Sequence, residues 1–310
     1  MCYAKDVSVQ QRGASRLPHA RRAPSPRTLV AALALTAIAA AGLGLVLYFA
    51  STTIAWFASA PTTDARFGAL NDCLMSHAPE GRSGFSVAQD GSAAATFTGV
   101  GIAVCTRSSD SAEGRFIPLA GVTRLAFDGA RNLWIATGGS REAEAALWRL
   151  APITDEPERV AEEAAVALTG HASGVVALDA AGRMISFGAA GDSRGFAEAP
   201  RVREPRLTAD VAGELIALAG GGALWIFRAA DLRPVLRESP CQVEYVWWTR
   251  QPGRALVACG PGASWALEID AHTGARQEAP RRERTRSVLI PKLQAYVVPC
   301  EGLPCEAPLP

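Results

Sequence analysis

The longest apolar run in the chain covers residues 29–50, LVAALALTAIAAAGLGLVLYFA, and it contains no charged residue. A helix over this run would be ~33 Å long, about the thickness of the hydrocarbon core of a bilayer. The pattern therefore predicts a transmembrane helix over residues 29–50, followed by a juxtamembrane linker over residues 51–66.

A second pattern begins after the linker, where short apolar runs alternate with Gly, Asp and Pro, which is typical of an all-β protein. One run recurs at steps of 40 or 41 residues, and its copies place six residues in equivalent positions: Ala95, Ala136, Ala177, Ala217, Ala258 and Val298. A fixed period of this length indicates a repeat architecture.

Further runs keep the same phase. Runs at 102–105, 147–150, 184–187, 224–227 and 264–267 follow the repeated run. Runs at 122–127, 206–209 and 243–248 precede it. One more run, at 234–237, follows the run at 224–227 in the same repeat. Each repeat thus contains about four short strands, which is the composition of a propeller blade.

Residues 121–150, GVTRLAFDGARNLWIATGG…ALWRL, resemble the blade pattern of the NHL, YVTN and two-component-regulator propellers. The chain is similar to WD40 proteins in repeat length, although it lacks the Trp-Asp dipeptide. The resemblance covers residues 84–310 and implies a β-propeller fold. Since the repeated strand occurs six times, we expect an all-β, six-bladed β-propeller that follows the transmembrane helix.

The sixth repeat is short, because only twelve residues follow Val298. A propeller ring must close or leave exposed strand edges. We therefore expect a propeller domain over residues 67–310 in which residues 67–77 supply a strand to the last blade. Five blades with an accessory hairpin are the alternative.

Charge predicts the orientation of the chain. Residues 1–28 carry six basic residues and one acidic residue, a net charge of +5, whereas no charge follows the apolar run until Asp64. The positive-inside rule predicts a disordered basic tail over residues 1–28 in the cytoplasm and an extracytoplasmic domain. Because lysine is rare and Ala, Gly and Arg are abundant, we expect a bacterial inner-membrane protein with a periplasmic domain. The alternative is a signal peptide cleaved after Ala60.

Six cysteines follow the apolar run, an even number that suits disulfides in an oxidising compartment: Cys73, Cys105, Cys241, Cys259, Cys300 and Cys305. Cys241 and Cys259 flank neighbouring strands of one repeat and are expected to pair. Cys73 is placed to join Cys300 or Cys305 at the ring closure. Unpaired buried thiols are the alternative. No Cys-x-x-Cys pair or histidine cluster indicates a metal site.

No residue pattern indicates catalysis or a cofactor. The sequence has no Gly-x-Ser-x-Gly motif. His171 is interpreted as a solvated loop residue, with a place at a propeller mouth as the alternative, and His272 as part of a turn. The acidic turns at 90–91, 128–129 and 179–182 have the spacing of strand connections and not of calcium loops.

The tryptophans fall into two groups. Trp134, Trp148, Trp225 and Trp265 occupy equivalent or adjacent strand positions and are expected to lie in the core. Trp247 and Trp248 are neighbours on one strand, so their side chains should point to opposite faces. One of the pair is therefore a candidate surface contact.

Two functions remain open. The first is a non-enzymatic binding or scaffold module, anchored in lipid by one helix, with protein or envelope partners. The second is a propeller hydrolase or lactonase with a metal held in the central channel by Glu, Asn and Asp. The chain has only two asparagines, Asn71 and Asn132, which argues against the second. Because the chain after residue 28 has a net charge of −4, it lacks the basic surface of a nucleic-acid-binding protein.

Overall fold

The computed structural model describes residues 65–109, 111–138, 144–200, 202, 204–260, 265–279, 288–290, 295–300 and 303–306. The predicted tail, transmembrane helix and most of the linker lie outside these residues. Within the described part of the chain, no helix is both long and apolar enough to cross a bilayer.

The first described element is helix α1, Ala65–His77. Its apolar residues Phe67, Leu70 and Leu74 recur every three or four positions, which is the helical period, and all three are fully buried. The expectation of a strand over residues 67–77 is therefore wrong. The alternation that a strand needs is absent from this segment.

Strands follow in antiparallel hairpins that build successive sheets, each with its strands in chain order. Sheet 1 contains β1 Gly84–Val87, β2 Ala93–Phe97, β3 Gly101–Ser108 and β4 Ser111–Pro118. Sheet 2 contains β5 Val122–Phe127, β6 Leu133–Thr137, β7 Ala146–Leu150 and β8 Glu158–Ala161. Sheet 3 contains β9 Ala165–His171, β10 Gly174–Asp179, β11 Arg183–Gly188 and β12 Ser193–Glu198.

The remaining sheets repeat this order. Sheet 4 contains β13 Arg206–Ala209, β14 Leu215–Gly220, β15 Ala223–Arg228 and β16 Pro234–Glu238. Sheet 5 contains β17 Val243–Trp248, β18 Arg254–Cys259, β19 Trp265–Asp270 and β20 Arg276–Ala279. Sheet 6 has three strands among the described residues: β21 Val288–Ile290, β22 Ala295–Cys300 and β23 Leu303–Glu306.

The forty-residue period marks the second strand of every sheet. Its six positions fall in β2, β6, β10, β14, β18 and β22. The predicted first strands at 122–127, 206–209 and 243–248 match β5, β13 and β17. The repeat of four short strands is thus confirmed for sheets 1 to 5.

The core lies between neighbouring sheets. First strands of consecutive sheets pack together, as β5 does with β9 and β9 with β13. Separate apolar clusters fill the spaces between sheets 1 and 2, 2 and 3, 3 and 4, and 4 and 5. Because both faces of a sheet are covered, strands such as β6 and β14 are apolar at almost every position.

Helix α1 connects the first and last sheets. Its buried residues pack against sheet 1 and Leu303 of β23. Asn71 Nδ2 donates a hydrogen bond of 3.0 Å to the carbonyl oxygen of Pro304. The segment expected to close the domain therefore contacts both ends of the sheet series, but it does so as a helix.

Candidate binding cleft

Because successive strands alternate in direction, the first-to-second and third-to-fourth turns of a sheet lie at the same end of the domain, here called the turn face. Aspartates stabilise these turns because their carboxylates accept hydrogen bonds from backbone amides a few residues later in the chain. Asp210 Oδ1 accepts from Glu214 N at 2.8 Å and Leu215 N at 3.0 Å. The interpretation of the acidic segments as strand connections is confirmed. Residues 90–91 and 128–129 join first and second strands, and residues 179–182 join the second and third strands of sheet 3.

His272 lies in such a turn, as predicted. Asp270 Oδ1 accepts from the amides of His272 and Thr273, both at 3.0 Å. The hydrogen bond from the Thr273 amide favours the carboxylate and lowers the pKa of Asp270. The turn thus fixes the backbone at His272, while the imidazole is exposed.

Asp128 forms the most extensive of these turns. Its Oδ1 accepts from Ala130 N and Asn132 N, both at 2.9 Å. Its Oδ2 accepts from Asn132 Nδ2 at 2.8 Å and from Trp134 Nε1 at 2.9 Å. Asn132 Nδ2 also lies 3.2 Å from the carbonyl oxygen of Ala189 in sheet 3. One carboxylate in the Asp-Gly-x-x-Asn-x-Trp segment therefore fixes the turn and binds the buried indole of Trp134. Asn132 in the same segment links the turn to sheet 3.

His171 is buried, so its interpretation as a solvated loop residue is wrong. It ends β9 and has 1% relative exposure. It pairs with Gly174, while Thr169 pairs with Val176. Paired residues on neighbouring strands share a face of the sheet, and so do residues two apart on one strand. His171, Thr169 and Val176 are therefore on the same face of sheet 3, and Val176 packs against sheet 4 there. The sequence gives no signal of this burial, since Thr-Gly-His-Ala-Ser-Gly has the composition of a loop.

The polar contacts of His171 are sparse for a buried imidazole. Nδ1 lies 3.4 Å from Ser173 N and 3.5 Å from Ser173 Oγ, and Nε2 has no hydrogen-bond partner among the described residues. Burial lowers the pKa of His171 to about 4; the Asp128 carboxylate opposes this shift and the Arg194 guanidinium adds to it. His171 is therefore neutral at pH 7.

This burial predicts a loss of stability in acid. The folded-state pKa, about 4, lies below the unfolded value of 6.5, so the unfolded chain binds more protons between these values. The free energy of unfolding should fall by about 2–3 kcal/mol as the pH drops from 7 to 4. His171→Gln should lose this component, as measured by denaturant unfolding at several pH values. His272→Gln, a change at an exposed histidine, is the control. Parallel curves for wild type and His171→Gln would contradict the prediction.

A cleft of about 590 Å³ opens on the turn face beside His171. Turns of sheets 3, 4 and 5 line it: residues 171–173, 213–215, 228–230, 233–235 and 272. Glu214, Arg233 and His272 contribute exposed polar groups, and Val235 contributes an apolar rim at 38% exposure. This combination suits binding of a protein surface with both polar and apolar groups.

Asp231 fixes one wall of the cleft. Its Oδ1 lies 3.0 Å from Arg228 Nε and its Oδ2 lies 2.7 Å from Arg228 Nη2. Arg233 Nε lies 3.4 Å from the same Oδ2. The β15–β16 turn is thus held by one carboxylate between two arginines. The sequence pattern did not single out Glu214, Arg233 and Val235, although the repeat phase places all three at or next to turns.

The cysteines give one confirmed pair and one correction. Cys241 and Cys259 form a disulfide, as expected from their places in one repeat. Cys73 pairs with Cys105 of β3, so its expected pairing with Cys300 or Cys305 is wrong. The helical conformation of residues 65–77 turns Cys73 towards sheet 1. The side chains of Cys300 and Cys305 lie outside the described residues.

Trp247 and Trp248 point to opposite faces, as predicted, but Trp248 is not a surface contact. It has 1% exposure, belongs to the core between sheets 4 and 5, and donates from Nε1 to Thr208 O at 3.0 Å. Trp247 is half-buried and packs against Leu256, Ala266 and Ala279. Neither side chain lines the cleft.

The other tryptophans follow the core expectation to different degrees. Trp134 is fully buried, and Trp148 and Trp225 are half-buried. The guanidinium carbon of Arg237 lies 4.5 Å from the Trp225 ring centroid. Trp265 is 41% exposed, so its assignment to the core is wrong. It lies at the first position of β19, next to a connection between strands.

Similar solved structures share this arrangement of sheets. One is described as the mitotic checkpoint complex, with 12% identity, a TM-score of 0.51, and coverage of 72% of this chain and 85% of that chain. Another is the WD40 β-propeller domain of Doa1, with 11% identity, a TM-score of 0.48, and coverage of 71% and 75%. The domain is a β-propeller.

The propeller also resembles apo AztD from Citrobacter koseri, with 14% identity, a TM-score of 0.40 and coverage of 51% of this chain. This chain spans slightly under half of the AztD chain, 46%. No protein-family model and no curated protein matches the sequence. At such identities a structural similarity bears on the fold and not on the function.

Proposed function

We propose that this chain is a membrane-anchored, extracytoplasmic β-propeller that acts as a non-enzymatic binding or scaffold module for protein or envelope partners. In this proposal the ring has six blades, and sheet 6 is the last of them. Helix α1 covers the junction with sheet 1, and residues 29–50 anchor the module in a bacterial inner membrane.

The cleft on the turn face is the observation that carries the binding role. Three successive sheets contribute turns to it, so its shape depends on the assembled propeller and not on one loop. Aspartates at 210, 231 and 270 accept hydrogen bonds from backbone amides of these turns. A partner would therefore meet a surface that is largely formed before binding, which lowers the entropic cost of association.

The two disulfides support the extracytoplasmic location. Cys73–Cys105 and Cys241–Cys259 both lie after the apolar run. Structural disulfides persist in oxidising compartments such as the periplasm and are rare in the bacterial cytosol. Together with the basic residues 1–28, they fit an N-terminus inside and a propeller outside.

Site-specific photo-crosslinking of the full chain in bacterial cells tests the binding role. A photoreactive residue at Val235, on the cleft rim, should form a discrete adduct with one partner. The same residue at Phe116, which has the same 38% exposure but lies on β4 of sheet 1, should not. Adding Glu214→Arg and Arg233→Glu to the Val235 variant should remove the adduct, because together they exchange the positions of a negative and a positive charge in the cleft while its net charge stays the same.

Equal labelling from positions 235 and 116, or an adduct that survives both charge reversals, would contradict a binding role for the cleft. The location has a separate readout in the same cells. Thiol alkylation before and after reduction should show Cys73, Cys105, Cys241 and Cys259 oxidised. If these four cysteines react before reduction, the extracytoplasmic location is wrong.

A further inference from the structure

Three potential metal ligands meet where helix α1 packs on sheet 1. Cys73 and His77 lie one helical turn apart, and Cys105 lies on the facing strand β3. The two sulfur atoms and a ring nitrogen of His77 all lie within 4.8 Å of one another. Two cysteines and one histidine form a ligand set that Zn²⁺ uses in sites that keep a fourth position open.

The hydrogen bonds of His77 leave one nitrogen available as a ligand. The Ser76 hydroxyl donates to the carbonyl oxygen of Cys73 at 2.7 Å. His77 Nδ1 lies 2.9 Å from the same carbonyl oxygen and 3.0 Å from Ser76 Oγ, so Nδ1 is the donor to both. The lone pair is then on Nε2. In the oxidised protein Nδ1 is the nitrogen that lies 3.9 Å from Cys73 Sγ, and Cε1, which joins the two ring nitrogens, faces Gly114. Metal binding through Nε2 therefore requires the imidazole to rotate towards the two sulfurs. Metal-binding histidines commonly donate their other N–H to a backbone carbonyl in this way.

The surroundings leave room for the three groups to converge. Gly114 of β4 faces them, and a Cβ atom there would overlap both sulfur atoms and lie 3.0 Å from His77 Cε1. His77 is the last residue of α1, where the partial negative charge of the helix end favours a cation. In the oxidised protein the two sulfurs are joined to each other. They can bind a metal only as thiolates.

We propose that Cys73, Cys105 and His77 form a redox-controlled Zn²⁺ site. A dithiol reductant converts the Cys73–Cys105 disulfide into two thiols and is itself oxidised to a disulfide. Zn²⁺ then binds both sulfurs and the His77 imidazole, and the two thiol protons are released to solvent. A disulfide oxidant reverses the change by thiol–disulfide exchange: it takes up two electrons and two protons to become two thiols, the Cys73–Cys105 bond re-forms, and Zn²⁺ is released. This site is independent of the cleft and of the proposed partner binding.

Cobalt titration of the full chain in detergent tests the proposal, because Co²⁺ reports tetrahedral thiolate sites spectroscopically. After reduction with a phosphine and its removal without oxygen, the wild type should gain a near-ultraviolet thiolate-to-cobalt band at one Co²⁺ per chain, and Zn²⁺ should bleach it. The oxidised protein should show no band. His77→Ala should weaken Co²⁺ binding at least tenfold. Circular dichroism of each reduced sample checks that the sheets persist.

The other disulfide supplies the matched control. The Cys73→Ser/Cys105→Ser variant should lose the band, whereas the Cys241→Ser/Cys259→Ser variant should keep it after reduction. A band that persists without Cys73 and Cys105 would assign it to other cysteines and overturn the proposal. No band in the reduced wild type, loss of the sheet signal on reduction, or unchanged affinity in His77→Ala would also overturn it.

Discussion

Replacing Asp128 with alanine should lower the free energy of unfolding by about 3–5 kcal/mol. The carboxylate is fully buried and accepts from two amides, the Asn132 side chain and Trp134 Nε1. Alanine would leave these donors without their acceptor in a space that water does not reach. A buried N–H group without an acceptor destabilises the folded state by the free energy needed to remove it from water. Asp128→Ala would leave several such N–H groups without an acceptor at once. Denaturant unfolding followed by circular dichroism measures the change.

Asp179→Ala is the matched control, because Asp179 also accepts two amides, those of Ala181 and Arg183, but in a more exposed turn. It should cost about 1 kcal/mol. A double-mutant cycle with Trp134→Phe isolates the Asp128–Trp134 hydrogen bond, and its coupling energy should be about 1 kcal/mol or more. Equal losses in Asp128→Ala and Asp179→Ala would mean that burial does not raise the cost at Asp128.

The repeat was predictable because each sheet is covered on both faces. Such strands need small or apolar residues at nearly every position, so their positions can be read from composition and spacing. Ala136 and Ala217 illustrate this point, since both are completely buried in second strands. The same fact explains why the second and third strands of sheets 1 to 5 were predicted, whereas the first strands of sheets 1 and 3 and most of the polar outer strands were not.

Helix α1 was missed for a different reason. The expectation of a strand came from the need to close a ring, while the local spacing of Phe67, Leu70 and Leu74 indicates a helix. The pairing of Cys73 depended on that expectation. As a helix, residues 65–77 place Cys73 against Cys105, which a strand paired with the last sheet would not do. An incorrect element thus produced an incorrect disulfide.

The cleft was not predictable from the sequence because its residues come from turns of three sheets. Glu214, Arg233 and His272 have ordinary turn composition, and only the packing of sheets 3, 4 and 5 brings them together. His171 shows the opposite error. Its local sequence suggests a loop, whereas β9 extends to this residue and places its buried side chain on the face of sheet 3 that packs against sheet 4. Tertiary packing decides both cases.

Replacing Trp248 with alanine should destabilise the domain by about 3–5 kcal/mol, since it empties a large volume in the core between sheets 4 and 5. The indole is almost completely buried, and its Nε1 links β17 to the carbonyl oxygen of Thr208 in β13. Trp248→Phe should recover part of the loss, because it refills most of the volume but lacks the donor. Denaturant unfolding followed by circular dichroism is the measurement.

Trp247→Ala is the neighbouring control on the same strand. Its half-buried indole packs on the other face of sheet 5, so its loss should cost about 1–2 kcal/mol. The difference between the two losses in free energy of unfolding tests the strand alternation directly. A slip of one residue in the register of β17 would put Trp247 on the face that Trp248 occupies, and the reverse. If Trp247→Ala proves the more destabilising change, β17 presents the opposite face to sheet 4. The core between sheets 4 and 5 would then be built from Trp247.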